Sequence, residues 1–491
     1  MPALSRSLPS LLTIAALSLA IGACTVGPDH VRTGLPVGER FARDAAAGDA
    51  VNDAGVATPA ADAAFWRAFG DARLDALVEA ALSANHDLRI ALAQYDRANA
   101  LLRGAKFDRL PTLTANADGR DARASRDQMP GTDRDARDTE SYSVGANVAW
   151  ELDLFGRIRR NVEADRADAQ ANASDLAAAQ VAIVGEVART YFELRGLQER
   201  LRVARENAQN QAETLRLVQA RFDAGRDSEF DLSRARAQQA TTSSRIPALE
   251  AQASVATHRL AVLTGRTPDA LIAELSTPAP LPALPARIDP GTPGDLLRRR
   301  PDVAAAEARL HASTARIGVA TADLFPRFTL GGLIGSQAID TSALFERGSE
   351  TRLVALGIDW SFLDIGRVRA RIAAADAGAS GALAGYERSV LLALEDTENA
   401  LVRHARAREE DALLERAATD SANAATLART RFEAGATGLL EVLDAERTRL
   451  QAQDAFADAR TRSATSAVGL FKALAGGWPQ SLPTRVEVGQ R

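Results

Sequence analysis

The chain has 491 residues, with 59 Lys and Arg against 64 Asp and Glu and a formal net charge of −5. Because nucleic-acid binding needs a basic surface, this balance argues against nucleic acid as a partner. Aromatic residues make up only 5% of the chain, which favours long, closely packed helices over one thick core. The five histidines lack metal-ligand spacing and Cys24 is the only cysteine. Neither a metal site nor an intrachain disulfide is therefore predicted.

The first 24 residues have the pattern of a secretion signal. A positive start at Arg6 and an apolar run over 11–21 lead through two small residues to Cys24. This segment resembles a bacterial lipoprotein signal, which implies removal of residues 1–23 and attachment of a diacylglycerol and an N-acyl chain to Cys24. Thr25, where Asp would imply retention at the inner membrane, implies passage to the outer membrane. The alternative is an ordinary secretory signal followed by an incidental free cysteine.

Three segments are rich in Pro, Gly and Asp and are predicted to connect or wrap the main body. They are the lipidated N-terminal segment 24–80, the Pro-rich linker 268–300 and the C-terminal tail 476–491.

The first repeat is predicted over 81–267 and contains a β-hairpin over about 110–152. From Tyr142 to Leu152, apolar residues occupy alternate positions, which indicates a strand with one apolar face. A weaker strand at about 110–118 would pair with it. The charged stretch 119–140 is predicted to be a solvated loop between the two strands.

Two long helices follow the hairpin, over about 157–224 and 229–264. The first contains no proline and would extend roughly 100 Å if unbroken. Gly225 is predicted to end it, because glycine just past a helix terminus adopts the left-handed cap conformation. Small residues at many contact positions suggest a coiled-coil wall, with a solid bundle as the alternative.

The second repeat, over 301–475, has the same plan. It comprises a hairpin over about 326–362, helices over about 367–432 and 439–475, and a turn at Gly435. Constant offsets relate the two halves, which indicates an internal duplication. Pairs 210 residues apart are Trp150 and Trp360, Gly156 and Gly366, Arg221 and Arg431, and Gly225 and Gly435, whereas Pro111 and Pro326 are 215 apart.

Strands of nine to eleven residues match what a tilted membrane-spanning strand requires. Trp150 and Trp360 are expected at the membrane interface, and Gly156 and Gly366 at bends from strand to helix. Two hairpins cannot close a barrel, but three copies would supply twelve strands. The predicted fold class is mainly α with a small transmembrane β part, two hairpins per chain and long coiled helices. The alternative is a soluble pair of hairpins on a helical domain.

Six short motifs occur along the chain, in the following order. They are Cys24-Thr25-Val26-Gly27-Pro28-Asp29, Trp150-Glu151-Leu152-Asp153-Leu154-Phe155-Gly156-Arg157, Arg300-Pro301-Asp302-Val303, Phe325-Pro326, Arg431-Phe432-Glu433-Ala434-Gly435 and Leu443-Asp444-Ala445-Glu446-Arg447. Together they resemble the TolC-like outer-membrane efflux factors, in particular the NodT-type lipoprotein branch. The resemblance covers nearly all of the mature chain.

The resemblance implies a homotrimer with a twelve-stranded β-barrel in the outer membrane and an α-helical barrel in the periplasm. Such ducts catalyse no reaction and bind no cofactor. An inner-membrane efflux transporter and a periplasmic adaptor protein would deliver drugs, toxic organics or other small solutes. A duct for protein secretion and, less favoured, a periplasmic adaptor lipoprotein are the alternatives. A hydrolase is disfavoured, because no motif offers a nucleophile and a base.

The resemblance also implies a periplasmic gate just after the second helix turn. By position, Arg431 matches the arginine of the family's helix tip, Leu440 its apolar constriction and Asp444 its gate aspartate. Three copies of Asp444 around a pore would repel one another, and Arg431 or Arg447 would relieve that repulsion. The alternative is a simple surface pair between Asp444 and Arg447. Phe432, where tyrosine is common, and Gly438, where asparagine is frequent, depart from the family pattern.

Overall fold

In the computed structural model of the chain, the described residues are 25–32, 34, 37–42, 58–59, 64–285, 288–475 and 482–485. The predicted signal peptide 1–23 and the predicted lipidation site Cys24 lie outside them, as does most of the predicted tail 476–491.

Long helices and hairpins alternate along the chain. The helices are α1 Ala72–Ala84, α2 His86–Phe107, α3 Arg157–Asp223, α4 Glu229–Leu263, α5 Pro293–Arg299, α6 Pro301–Ala322, α7 Ile365–Glu433 and α8 Leu439–Ala473. The strands of the main sheet are β1 Thr112–Arg123, β2 Asp138–Glu151, β3 Arg327–Ala338 and β4 Glu350–Asp359. The predicted class, mainly helical with a small four-stranded β part, is confirmed.

Shorter elements join these. They are the 3₁₀ turns Phe65–Phe69, Asp135–Arg137, Thr341–Ala343, Arg347–Ser349 and Phe362–Asp364, the one-turn helix Ile272–Leu275, and the parallel two-residue strands Thr58–Pro59 and Ile288–Asp289. Within the described part of the chain, every helix is too short or too polar to cross a membrane.

Helix α1 lies in a segment that was predicted to be a connection. Asp71 caps it by accepting from the main-chain N–H groups of Arg73 and Leu74, at 2.8 and 3.1 Å. Its apolar side, which includes Leu74 and Val78, is fully buried. The predicted boundary at residue 81 therefore falls inside a helix.

The chain divides into two compact units. The first contains the described residues within 1–34, 95–172 and 305–386, and the second those within 35–94, 173–304 and 387–491.

The first unit contains the main sheet, in which all four strands are antiparallel and follow the order β1-β2-β3-β4. The strand register separates its two faces. One face carries Leu113, Ala115, Ala117, Tyr142, Val144, Ala146, Val148, Trp150, Phe328, Leu330, Ile334, Val354, Leu356 and Ile358. Toward the tips of the hairpins the same face carries polar residues, which are Asp121, Arg123, Asp138, Glu140, Ser336, Glu350 and Arg352. The other carries Thr112, Thr114, Asn116, Asp118, Ser141, Ser143, Asn147, Glu151, Arg327, Thr329, Gln337, Thr351 and Asp359, with Leu333 and Leu353 as the large apolar exceptions. Away from the hairpin tips, the sheet is therefore apolar on one side and mostly polar on the other.

The two strands of the first hairpin are longer than predicted. The stretch 119–140 was expected to be a loop, but β1 runs to Arg123 and β2 begins at Asp138. These two residues are direct cross-strand partners and form an ion pair. Opposite charges facing each other across a strand pair stabilise it, so the charged residues extend the hairpin.

Two corresponding positions at the ends of the strands have different geometry. Gly156 has φ +83° directly before α3, and a Cβ there would lie 2.7 Å from the Thr25 side chain. Gly366, in contrast, lies inside the first turn of α7, with open space where a Cβ would stand. The predicted bend at Gly366 is wrong, because the 3₁₀ turn Phe362–Asp364 already redirects the chain.

The two predicted interface tryptophans make equivalent hydrogen bonds. Trp150 Nε1 donates to the carbonyl of Arg109 at 3.1 Å, and Trp360 Nε1 donates to the carbonyl of Leu324 at 3.0 Å. The acceptors are 215 residues apart and the donors 210. Each indole thus forms a hydrogen bond between the end of a hairpin and the segment that precedes its first strand.

Residues 25–32, here called the N-terminal strap, lie along the start of α3 and along α6. The strap contacts are Arg160 with the carbonyls of Val26 and Gly27 at 3.2 Å each and with Asp29 at 2.7 Å, the His30 ring stacked on His311 at 4.6 Å, and Arg32 with Glu307 at 3.0 Å. Because α3 belongs to the first repeat and α6 to the second, the strap connects both repeats within this unit.

The second unit has an aromatic core. Phe65 stacks on Phe471 with ring centres 4.8 Å apart, and Phe69 meets Phe192 at 4.9 Å. The neighbouring Tyr191 hydroxyl donates to Asp71 at 2.6 Å. Burial, followed by this bond to a carboxylate, raises the pKa of Tyr191 to about 12.

The Arg300-Pro301-Asp302 motif closes the end of the last long helix. The Arg300 side chain, only 10% exposed, donates to the carbonyl of Ala473 at 3.0 Å and to both Asp302 oxygens at 3.0 and 2.6 Å. Burial opposes the charge of Asp302, but the bonds from Arg300 outweigh it and lower the pKa of that carboxyl. The motif therefore joins the start of α6 to the C terminus of α8.

Candidate functional site at the helix turns

The two turns between the long helices, both in the second unit, have the same main-chain bonds. In the first, Gly225 N–H donates to the carbonyl of Phe222 and Arg226 N–H to that of Arg221, both at 2.8 Å. In the second, the bonds of Gly435 and Ala436 to the corresponding carbonyls measure 2.9 and 2.8 Å. Both glycines have positive φ, +71° and +74°. Each turn is thus a Schellman cap, and the left-handed glycine predicted from the sequence lies at Gly225 in one and at Gly435 in the other.

Side chains reinforce the first turn. Arg221 Nε donates to Asp227 at 2.9 Å, and the Asp227 side chain is only 11% exposed. Ser228 and Asp231 then form a capping box at the start of α4. Three polar contacts therefore stabilise this turn beyond its main-chain bonds.

The second turn lacks those contacts. Thr437 stands where the first turn has Asp227, and Gly438 stands where it has Ser228. Gly438 gives α8 no side-chain cap, and the buried Thr437 hydroxyl has no hydrogen-bond partner in the described structure. The exposed Arg431 makes no ion pair with any described residue. The second turn is therefore less strongly bonded than the first.

An apolar cluster packs the two turns against each other. Its buried members are Val218, Leu232, Ala235, Phe432, Leu439, Val442 and Leu443, with Leu215 and Phe222 at its edge. Above it, the Arg221 guanidinium lies 5.0 Å from the centre of the Phe432 ring. Phe432 thus presents a ring face to an arginine of the first turn.

Two of the three predicted gate residues share one exposed face of α8. Leu440 is 56% exposed, and Asp444 follows four residues later with a side chain that is 60% exposed. Arg447 lies 2.5 Å from Asp444 in an ion pair. Within one chain, the arginine that pairs with the Asp444 carboxylate is Arg447 and not Arg431.

The buried carboxylate near the turns is Glu446, which was not among the predicted site residues. It is only 2% exposed, accepts from Arg429 at 3.0 Å, and lies 2.8 Å from Arg449 in an ion pair. Leu439, Leu443, Glu446 and Leu450 follow the 4-3-4 spacing of a coiled-coil seam. That spacing places Glu446 on the buried side of α8 and is the signal that would have identified it.

Above the turns, ion pairs connect α8 to its neighbouring helices. Asp454 accepts from Arg200 of α3 at 2.8 Å and from Arg245 of α4 at 3.3 Å. Further along, His404 of α7 contacts the Ser466 hydroxyl of α8 at 3.1 Å. Burial, with a smaller effect of Arg408, lowers the pKa of His404 to about 4.

These side chains form ion pairs and pack against one another. In the described ranges there is no group of three or more His, Cys, Asp or Glu placed to bind a metal ion. Changes in these contacts would loosen or tighten the packing of the two turns. Leu440 and Asp444 are exposed on α8 and can contact a neighbouring molecule.

Known proteins share this architecture. A family model described as "outer membrane efflux protein" matches residues 77–266 and 292–476. Outer membrane protein OprJ of Pseudomonas aeruginosa is 34% identical, over 97% of this chain and 97% of that protein. Nodulation protein T of Rhizobium leguminosarum bv. trifolii is 31% identical, over 88% and 90% of the two chains. A solved structure of the outer-membrane channel OprN superposes with a TM-score of 0.85 at 40% identity, over 93% of this chain and all of that one.

Proposed function

Because the chain belongs to the family of outer membrane efflux proteins, we propose that three copies of it form one export duct. The predicted family, outer-membrane location and role as an efflux channel are confirmed. The alternative of a periplasmic adaptor is wrong, because both matched segments belong to the family of the outer-membrane component. The number of copies, the partners, the gate and the lipid are the parts that we propose.

The main sheet carries the proposal of three copies. It is mostly apolar on one face, and the outer edges of β1 and β4 are paired with no other strand among the described residues. Unpaired strand edges are not tolerated in lipid, because their N–H and C=O groups cannot bond to water. Three sheets of four strands, each joined β4 to β1, would give twelve strands with the apolar face toward lipid.

An efflux channel needs a source of energy and a route from the inner membrane. We therefore propose an inner-membrane efflux transporter and a periplasmic adaptor protein as its partners, and drugs, toxic organics or other small solutes as its cargo. The family assignment supports this set of partners. The mostly polar face of the sheet, which would line the channel, suits solutes that cross in water.

We propose that the second turn contains the periplasmic gate. Leu440 and Asp444 project from one exposed face of α8, where a three-fold axis would bring three copies of each together. The second turn has fewer hydrogen bonds than the first, and segments with fewer bonds open at lower free-energy cost. This difference supports placing the moving gate at the second turn. Arg431 is exposed and makes no described ion pair, so its guanidinium is available to a neighbouring copy.

We propose that Cys24 bears the lipid. The N-terminal strap starts at Thr25, which packs on Gly156 at the end of the first hairpin. An acyl group on the preceding residue would start beside the end of the sheet. N-terminal mass spectrometry should show the acyl mass on the wild-type protein and on Thr25→Ser, but not on Cys24→Ala. An unmodified Cys24 would disprove the lipid.

The test of the duct is native mass spectrometry of the full-length protein in detergent, followed by planar-bilayer recording. We expect three chains per particle and discrete channels. A particle with another number of chains would contradict the proposed barrel. A deletion strain with unchanged sensitivity to a broad panel of toxic solutes would contradict the proposed cargo.

A further inference from the structure

One exposed face at the end of α2 is both basic and apolar. Arg103, Lys106 and Phe107 follow the i, i+3, i+4 spacing of one helix side, and Arg109 and Leu110 lie in the turn that follows the helix. Phe107 is 69% exposed and Leu110 56%. We call these five residues the basic patch. Exposed large apolar side chains beside cations are typical of surfaces that contact a lipid interface.

The basic patch lies at the end of the sheet from which the helices leave. Trp150 Nε1 donates to the carbonyl of Arg109 at 3.1 Å, and β1 begins at Thr112, opposite Ala149. Trp150 itself belongs to the apolar face of the sheet. The patch is therefore continuous with the lipid-facing surface at its periplasmic end.

The three cations of the patch have no ion pair in the described structure. Among the described residues, none lies within hydrogen-bond or ion-pair distance of the side chains of Arg103, Lys106 or Arg109, and Asp108 is the only acidic residue within 103–110. In contrast, nearby Arg327 and Arg371 both pair with Asp323. The patch therefore has a net positive charge that the chain itself leaves uncompensated.

The second repeat does not reproduce this surface. At the 215-residue offset, the five positions are occupied by Gly318, Thr321, Ala322, Leu324 and Phe325, none of them charged. Phe325 stacks on Phe155 with ring centres 4.5 Å apart. The duplicated fold therefore does not require the charges of the first repeat.

We propose that the basic patch binds the headgroup of an anionic phospholipid in the periplasmic leaflet of the outer membrane. Lys106 and Arg109 would contact the phosphate, with Arg103 one helical turn further from the membrane, while Phe107 and Leu110 contact the acyl chains. Charge complementarity and continuity with the apolar face of the sheet identify this occupant. The inference rests on the outer-membrane location and is independent of the number of copies in the duct.

The experiment measures lipid binding by the full-length protein in neutral detergent, by native mass spectrometry with added phosphatidylglycerol or phosphatidylcholine. Each basic residue near an anionic surface strengthens binding by about fivefold. Wild-type protein should therefore favour phosphatidylglycerol by at least about tenfold. The double variant Lys106→Gln/Arg109→Gln should lose most of that preference, and the charge-retaining Lys106→Arg/Arg109→Lys should keep it.

The matched control removes two arginines at the other end of the same hairpin. Arg126→Gln/Arg134→Gln makes the same charge change and should leave the preference intact. Equal binding of the two lipids by wild-type protein would overturn the proposal. It would also be overturned if the Gln variant dissociates the assembly while keeping its lipid preference, because the patch would then be an interface between copies. Displacement of the lipid by millimolar inorganic phosphate would assign the site to a free anion instead.

Discussion

The guanidinium of Arg221 lies 5.0 Å above the ring of Phe432, which joins the first helix turn to the second. The same group binds Asp227 at 2.9 Å. Arg221→Gln removes both contacts, and we expect the amides of both turns to exchange with solvent about tenfold faster. A cation–π contact and a charged hydrogen bond together stabilise by about 1–2 kcal/mol at such a site. Hydrogen–deuterium exchange measures the change.

The control for Arg221 is Arg226→Gln in the same turn. No hydrogen bond or ion pair of the Arg226 side chain is described, so its loss should leave exchange at both turns unchanged. Equal effects of the two variants would mean that the Arg221 contacts do not join the turns.

Arg300→Gln should lower the free energy of unfolding by about 2–3 kcal/mol, because it removes the charged donor from Asp302 and from the buried carbonyl of Ala473. Arg298→Gln is the matched control. The Arg298 side chain is 65% exposed in its pair with Asp295, and removing a surface pair changes stability by at most about 0.5 kcal/mol. Chemical denaturation of both variants checks the difference, and similar losses would contradict the role assigned to Arg300.

Glu446 and Asp444 should give opposite results. Glu446→Gln disrupts a buried contact with two arginines and should cost about 3 kcal/mol of stability. Asp444→Ala removes an exposed pair worth a few tenths of a kcal/mol, so the melting temperature should not change. If Asp444 is part of the gate, the single-channel conductance of the Asp444→Ala variant should be higher than that of the wild type.

The control for the gate is Arg234→Ala, the position of the first repeat that corresponds to Asp444. It should leave the conductance unchanged. A conductance of Asp444→Ala equal to that of the wild type would contradict the gate and favour the simple surface pair.

His404 should make the protein sensitive to acid. Its pKa falls from the ordinary 6.5 to about 4 on folding, so the unfolded chain binds more protons between these values. Stability is therefore fully present above pH 6.5 and is lost as the pH falls toward 4. From pH 7 to pH 5 the loss is about 2 kcal/mol per chain. His404→Gln should remove this part of the pH dependence, whereas His258→Gln, at an exposed position, should retain it.

Much of the fold follows from patterns within the sequence. The 210-residue offset located both turns, because a glycine after a long proline-free helix has one common use, the left-handed cap. The alternation from Tyr142 to Leu152 located β2, because one face of that strand is apolar. Both signals are local and need no information about distant residues.

The remaining features depend on partners that are far away in sequence. Arg123 and Asp138 lie in a charged stretch that, taken by itself, predicts a loop. They are strand residues because they pair with each other across the hairpin. Glu446 could not be identified from charge, because burial of a carboxylate requires Arg429 from another helix. Gly366 matched Gly156 by offset, yet only Gly156 packs against the chain near Thr25.

The N-terminal strap has a consequence for the order of folding. Arg32 and Glu307 are 275 residues apart, and the strap bonds to helices of both repeats. Contacts of such separation form late, since the intervening chain must be ordered first. The strap, although synthesised before either repeat, is thus among the last parts to dock. An enzyme acting on the strap before that step would meet it as an unstructured tail and not as part of the folded protein.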